Sequence, residues 1–166
     1  MATANFLNQY LDMTTSLMKD RQRPVGFTYG SMDEFVKANG RLWPVAVNQD
    51  VAGAVAIYPQ ACFDNAFRLA RRWPSRFRYV EGVALGVIPT HHAWCLNVEG
   101  EVVDPTWFRH STVGSEYFGV EIPLVIAKQI RHRKNHSIIQ NWEKGFPLFR
   151  EPWPVVIQRN SVVNYK

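Results

Sequence analysis

A thiol, an imidazole and a carboxylate occur in the order Cys62, His92, Asp104, each in a local setting suited to nucleophilic chemistry. In a Cys-His-Asp set the imidazole holds the sulfur as thiolate, and the carboxylate fixes the imidazole tautomer. Cys62 opens a segment in which Phe63, Ala66, Phe67, Ala70 and Trp73 fall on one stripe before Pro74. That spacing predicts a helix with Cys62 in its first turn. The helix dipole and the unpaired backbone amides there favour a thiolate. Taken alone, the same residue would read as a small buried hydrophobe.

The other two residues sit on a predicted hairpin running from Ala93 to about Trp107 and turning near Glu99-Gly100. Side chains on paired strands share a face only when the register has the right parity. A two-residue loop Glu99-Gly100 would set Cys95 opposite Asp104 and send His92 and Asp104 to opposite faces. A three-residue loop Val98-Glu99-Gly100, with Gly100 left-handed, sets Asn97 opposite Glu101 and Trp94 opposite Asp104. His92 is then diagonal to Asp104 on one face, at roughly 7–8 Å between backbone positions. The glycine suits the longer loop, and the triad requires it. In that register His92, Trp94, Leu96, Val102, Asp104 and Thr106 share a face, against which the Cys62 helix is expected to pack. Ala93, Cys95, Val103 and Pro105 share the other, which makes Cys95 a core residue. His91 points away from His92, as an exposed or structural residue.

Elsewhere, Phe6, Tyr10, Met13 and Leu17 predict an amphipathic helix within residues 5–20. Ser31-Met32-Asp33-Glu34 fits a capping box, with Gly40 to end the helix. Phe77 to Val87 reads as a strand, and residues 123–133 as a helix opened by Pro123. Val155-Val156-Ile157 is strand-like, and the stretch from Leu42 to Ile57 has no clear assignment. There is no internal repeat, low-complexity segment or linker.

Cys62 at a helix start, Val80-Glu81-Gly82 on a strand, His92-Ala93-Trp94 and Val103-Asp104-Pro105-Thr106 together resemble the transglutaminase-like core of the papain-like cysteine hydrolases and transferases. The resemblance spans roughly residues 58–108. It implies an α+β fold, a papain-like or transglutaminase-like core with helices packed on an antiparallel β-sheet. It also implies Cys62 as nucleophile, His92 as base and acid, and Asp104 as orienting residue. Gln60-Ala61 stand where a glycine usually precedes the cysteine. The chemistry implied is acyl transfer through a thioester, with water giving hydrolysis and an amine giving transamidation. The Cys62 backbone N–H and the Gln60 side chain would serve the oxyanion. Trp94 could contact substrate or be a core aromatic. The substrate would be a peptide, a protein or a small amide or ester, and no cofactor is called for.

Three rivals share these residues. Cys62, His91, His92 and Cys95 are all potential zinc ligands, but their spacing is not that of a closed site, so no metal is expected. A catalytically inactive binding or inhibitor module of the same fold, acting on a protein or nucleic acid, would keep the motifs without the reactivity. An acyltransferase using an activated donor would share the triad, but no phosphate-cradling glycine loop is present.

The bulk composition bounds these readings. With 166 residues, 46% hydrophobic and 20% charged, the chain reads as a single globular domain over 1–166. No apolar run approaches the roughly 18 residues of a membrane span. The N-terminus lacks the pattern of a signal peptide, and two cysteines then suggest reduced thiols in the cytoplasm. The net charge of +5 permits an acidic partner without demanding one. Its basic residues concentrate at Arg68/Arg71/Arg72/Arg76/Arg78 and Lys128/Arg131/His132/Arg133/Lys134. The sequence does not specify an oligomeric state.

Overall fold

Arg78–Leu85 (β2) pairs along its length with Pro89–Leu96 (β3) on one side and Glu116–Glu121 (β5) on the other. Arg41–Trp43 (β1) extends the sheet beyond β5, and Val102–Val103 (β4) extends it beyond β3. All pairings are antiparallel, and the sheet curls into a half-barrel. In this computed structural model, residues 5–43, 51, 55–107, 115–131 and 133–150 are described. Their helices are α1 (Phe6–Leu17), α2 (Met32–Asn39), α3 (Cys62–Arg72) and α4 (Leu124–Ile130), with short 3-10 turns at Trp142–Lys144 and Pro147–Phe149. The architecture is α+β. The strand-like Val155-Val156-Ile157 and much of the unassigned stretch after Leu42 lie outside the described residues.

The β3–β4 reversal adopts the longer loop. Cys95 faces Val103 and Leu96 faces Val102. The Asn97 N–H donates to the Glu101 carbonyl at 3.0 Å, and Gly100 takes φ +81°. An L side chain rarely adopts that conformation, so the glycine selects this turn and its parity.

The face against which α3 packs differs from expectation. Ala66, Phe67, Leu69 and Ala70 of α3 pack with Tyr79, Val83, Ala93, Cys95 and Val103. The His92 face of the sheet is covered by a separate cluster of Trp43, Val80, Ala84, Trp94, Leu96, Val102 and Tyr117. Helix and imidazole therefore lie on opposite faces. The β3–β4 ladder ends at Cys95–Val103, so His92 has no ladder partner in β4.

The expected stripe of α1 is also displaced. Leu7 and Leu11 are buried, while Phe6, Met13 and Leu17 are exposed. The Glu116 carboxylate accepts from the Phe6 and Leu7 N–H groups at 3.2 and 2.9 Å, and the Asn5 side chain caps Asn8. A carboxylate at a helix N-terminus pairs with its free amides, and here it fixes the rotation of α1 about its axis. At α2, Ser31 accepts from the Glu34 N–H, but the Glu34 carboxylate turns to the Gly30 N–H and Arg23 instead of closing the capping box.

Glu81 is fully buried in the middle of β2. Its carboxylate accepts from the Tyr79 hydroxyl at 2.6 Å, the Ser137 hydroxyl at 2.6 Å, and the Ile138 and Ile139 N–H groups at 2.7 and 3.1 Å. Four donors from two segments offset the desolvation of one carboxylate and pin residues 137–139 to the sheet. Burial still raises the Glu81 pKa.

Glycines let the central strands meet. Gly82 is level with His92 on one side and Gly119 on the other. A Cβ at Gly82 would come 2.2 Å from the Phe118 carbonyl oxygen and 2.4 Å from the Gly119 Cα. A Cβ at Gly119 would meet the Trp94 ring at 2.6 Å. Because the obstacle at Gly82 is backbone, Gly82→Ala should lower stability by about 3 kcal/mol. An unchanged urea midpoint for that variant would contradict so close an approach of β2 and β5.

Candidate active site

Asp104 follows β4 directly, where the chain leaves the sheet through a turn at Pro105-Thr106-Trp107. Its two carboxylate oxygens do different things. Oδ1 accepts from the Thr106 and Trp107 N–H groups at 2.9 and 3.0 Å, closing an Asx-type turn that holds the carboxylate over its own chain. Oδ2 lies 2.7 Å from His92 Nε2 and accepts from the Tyr117 hydroxyl at 3.1 Å. Tyr117 is on β5, so the pair is braced from across the sheet.

Both members are buried, with side chains 2% and 1% exposed. Burial opposes the imidazolium, yet the Asp104 carboxylate, by charge and hydrogen bond, and Cys62 outweigh it and raise the His92 pKa to about 9. For Asp104, desolvation acts upward, but His92 and the two turn amides prevail and hold its pKa below the ordinary carboxylate value. The Trp107 ring stacks on the imidazole with centroids 4.0 Å apart. An aromatic face over a cation adds attraction while excluding water from it.

Cys62 is the first residue of α3 and is partly exposed. It acts on the His92 side chain by hydrogen bonding and charge, in the direction that favours the imidazolium. Since Nε2 is taken by Asp104, Nδ1 is the nitrogen left for the sulfur. The residue preceding the helix, Ala61, provides no side-chain cap, so the first-turn amides are left to other acceptors. Asp64, two residues on, would set a negative charge beside a thiolate. Its carboxylate is paired with Arg131, at the end of α4, and lies 3.5 Å from Arg68.

The loop before Cys62 keeps a left-handed turn without glycine. Gln60 has φ +57°, and its carbonyl accepts from the Asn135 side-chain amide at 3.1 Å. A non-glycine residue held there costs on the order of 1 kcal/mol, sustained when the surroundings over-determine it. The Gln60 side chain is exposed next to Cys62 and makes no hydrogen bond among the described residues.

The structure thus brings Cys62, His92 and Asp104 together and sets Gln60 beside them. Trp94 stacks beside His92, with ring centroids 6.4 Å apart. It is fully buried, edge-on to Trp43 and Tyr117, with its ring against Gly119. Its indole Nε1 is buried without a hydrogen-bond partner among the described residues, and the ring packs in the apolar cluster that covers the His92 face. Cys95 is a core residue whose thiol donates to the Ala66 carbonyl at 3.3 Å, and burial raises its pKa. His91 turns to Asp33 of α2 at 3.2 Å. The four residues considered as zinc ligands therefore separate to two faces of the sheet, and no metal-ligand cluster occurs among the described residues. Of the basic residues, Arg68 and Arg131 serve Asp64, while Arg71, Arg72, Arg76, Arg133 and Lys134 are exposed.

Sequence reasoning missed Tyr117, Trp107 and Asn65. Asn65 alone left a readable signal, as an amide on the side of α3 that faces the core. Comparisons with protein-family models, curated proteins and solved structures find no match to this chain.

The His92 pKa sets a pH test. Its folded value lies above the ordinary 6.5, so the stabilisation is complete below about pH 6.5 and is lost as pH rises through about 9. In urea unfolding, wild type should exceed Asp104→Asn by on the order of 3 kcal/mol near pH 6, and the gap should narrow by pH 10. A gap independent of pH would show that Asp104 does not hold a charged imidazole.

Proposed function

We propose that this protein is a cysteine-dependent acyl-transfer enzyme or amide hydrolase acting through Cys62, His92 and Asp104. The observation that carries this reading is the placement of one buried imidazole between two partners. Asp104 engages Nε2, and Cys62 at the start of α3 acts on the same ring by hydrogen bonding and charge, which leaves Nδ1 to serve the sulfur. An ion pair buried for stability alone would need no partly exposed thiol at a helix start on its far side. The transglutaminase-like resemblance implies the same roles for the same residues.

In the proposed reaction the Cys62 thiolate attacks an amide or ester carbonyl carbon, forming the C–S bond and a tetrahedral oxyanion. The Cys62 backbone N–H, and the Gln60 side chain turned inward, would donate to that oxyanion. Collapse breaks the bond to the leaving amine or alcohol, which takes the proton from His92 Nδ1, and a thioester remains on the sulfur. The neutral imidazole then accepts a proton from water or an acceptor amine as that group attacks, and the thiolate is released. Asp104 stays ionised throughout and stabilises the imidazolium. Acceptable substrates are a peptide, a protein or a small amide or ester; an acidic substrate would suit the net charge of +5. Among the described residues no helix is long and apolar enough to cross a membrane, and the reading needs no membrane.

Incubation with an activated ester, followed by intact-mass and peptide mapping, tests the proposal. An acyl adduct should appear on Cys62 and not on Cys95. Cys62→Ala should abolish it, and His92→Gln should slow its formation by about 10²-fold or more. With amide substrates the rate should fall above about pH 9, as His92 loses the proton the leaving amine needs. An unreactive Cys62 with no adduct would instead leave a binding module that retains the fold.

A further inference from the structure

The apolar packing of α3 leaves one degree of freedom unspecified. The helix lies on the face of the sheet opposite His92, held there by Ala66, Phe67, Leu69 and Ala70. Hydrophobic contact is non-directional, so it sets the buried face of the helix more firmly than the aim of the side chains at its start. A small slide along the helix axis would part the thiol from the imidazole, since a reactive pair tolerates little displacement. Something directional must fix the start of α3 against the turn that carries Asp104.

Asn65 is the residue placed to do so. It sits one turn after Cys62 and is fully buried. Its Oδ1 accepts from the Tyr58 N–H at 3.0 Å, and its Nδ2 donates to the Tyr58 carbonyl at 2.7 Å. The same Nδ2 donates to the Thr106 hydroxyl at 3.1 Å, on the Asp104 turn. Both amide hydrogens are then used, on two different segments. A residue that merely capped its own loop would stop at Tyr58. The contact with Thr106 closes a ring: Cys62 to Asn65 along α3, Asn65 to Thr106, the Thr106 N–H to Asp104, Asp104 to His92, and His92 back to Cys62.

We infer that Asn65, acting through the Thr106 hydroxyl, is a positioning residue that holds the nucleophile helix and the acid-bearing turn in register with His92. The inference rests on the proposed thiol chemistry and goes beyond it, because neither residue touches the reacting atoms. Thr106 is the gentler handle, since its backbone bond to Asp104 survives any side-chain change.

The test compares wild type with Thr106→Val, Thr106→Ala, Thr106→Ser and His92→Gln, measuring iodoacetamide alkylation of Cys62 at pH 7 by peptide mass spectrometry, with thermal unfolding alongside. Loss of the hydroxyl in Val and Ala should slow alkylation about tenfold in proteins that remain folded, and Ser should restore it to within about twofold of wild type. A purely structural hydroxyl would move the unfolding temperature and leave the alkylation rate of folded protein alone. Wild-type rates in both Val and Ala overturn the inference, as does a Ser variant as slow as Val. His92→Gln separates the two failures. If it is slow while Thr106→Val is not, the positioning role alone is lost. If it alkylates at the wild-type rate, the triad reading falls and this inference with it.

Discussion

The buried bond between His92 and Asp104 is the constraint around which the rest of the molecule is arranged. Taking an imidazolium and a carboxylate out of water carries a desolvation penalty of several kcal/mol per ion, which their attraction offsets only with good geometry and satisfied remaining valences. The compensating groups come from three parts of the fold. The Thr106 and Trp107 amides come from the turn, the Tyr117 hydroxyl from β5, the stacked ring from Trp107, and the thiol from the start of α3. The pair is therefore stable only when hairpin, far strand and helix are all in place. It acts as a checkpoint on the tertiary fold as much as a piece of chemistry.

The hairpin was legible because parity is discrete. A loop has either two residues or three, and only one choice places His92 and Asp104 on the same face. Gly100, at φ +81°, decides between them. The face on which α3 packs was not legible, for a related reason. Residues Tyr79 to Ala84 of β2 are all buried, so inward and outward positions are both apolar and no alternation marks the helix side. A strand covered on both faces loses the information that a half-exposed strand displays. The stripe of α1 failed differently. Leu7 and Leu11 compete with Phe6, Met13 and Leu17 for the core, and the decision is made by Glu116, more than a hundred residues away.

The unforeseen members of the site share that dependence on distance. Tyr117 and Trp107 matter because of what they reach across the sheet, which no spacing within their own segments encodes. Glu81 did leave a mark, an acid inside an otherwise apolar strand. Such a residue has to be met by donors, and its donors proved to be the segment Ser137-Ile138-Ile139. That segment follows Asn135, whose side chain holds the Gln60 carbonyl. A carboxylate buried for architecture thus also anchors the approach to Cys62. The absent glycine before the cysteine is offset from outside the loop: the left-handed turn is kept at Gln60, with Asn135 holding it in place.

The charges around Cys62 are arranged by the same logic. A carboxylate in the first turn of a helix is favourable to the helix, and Asp64 occupies that position. Left unpaired, it would repel a thiolate two residues away. Arg68 comes from the next turn of α3 and Arg131 from the end of α4, so two elements neutralise one side chain. Arg68 also donates to the Ala56 carbonyl and stacks on Tyr58, and Arg131 stacks on Phe67. These arginines are held by several contacts each, so they screen Asp64 from fixed positions. In the sequence they stand only as members of two basic runs, which do not say what each arginine meets. Both arginines pair with Asp64 beside the start of α3, so the helix keeps its first-turn carboxylate without leaving that charge unpaired.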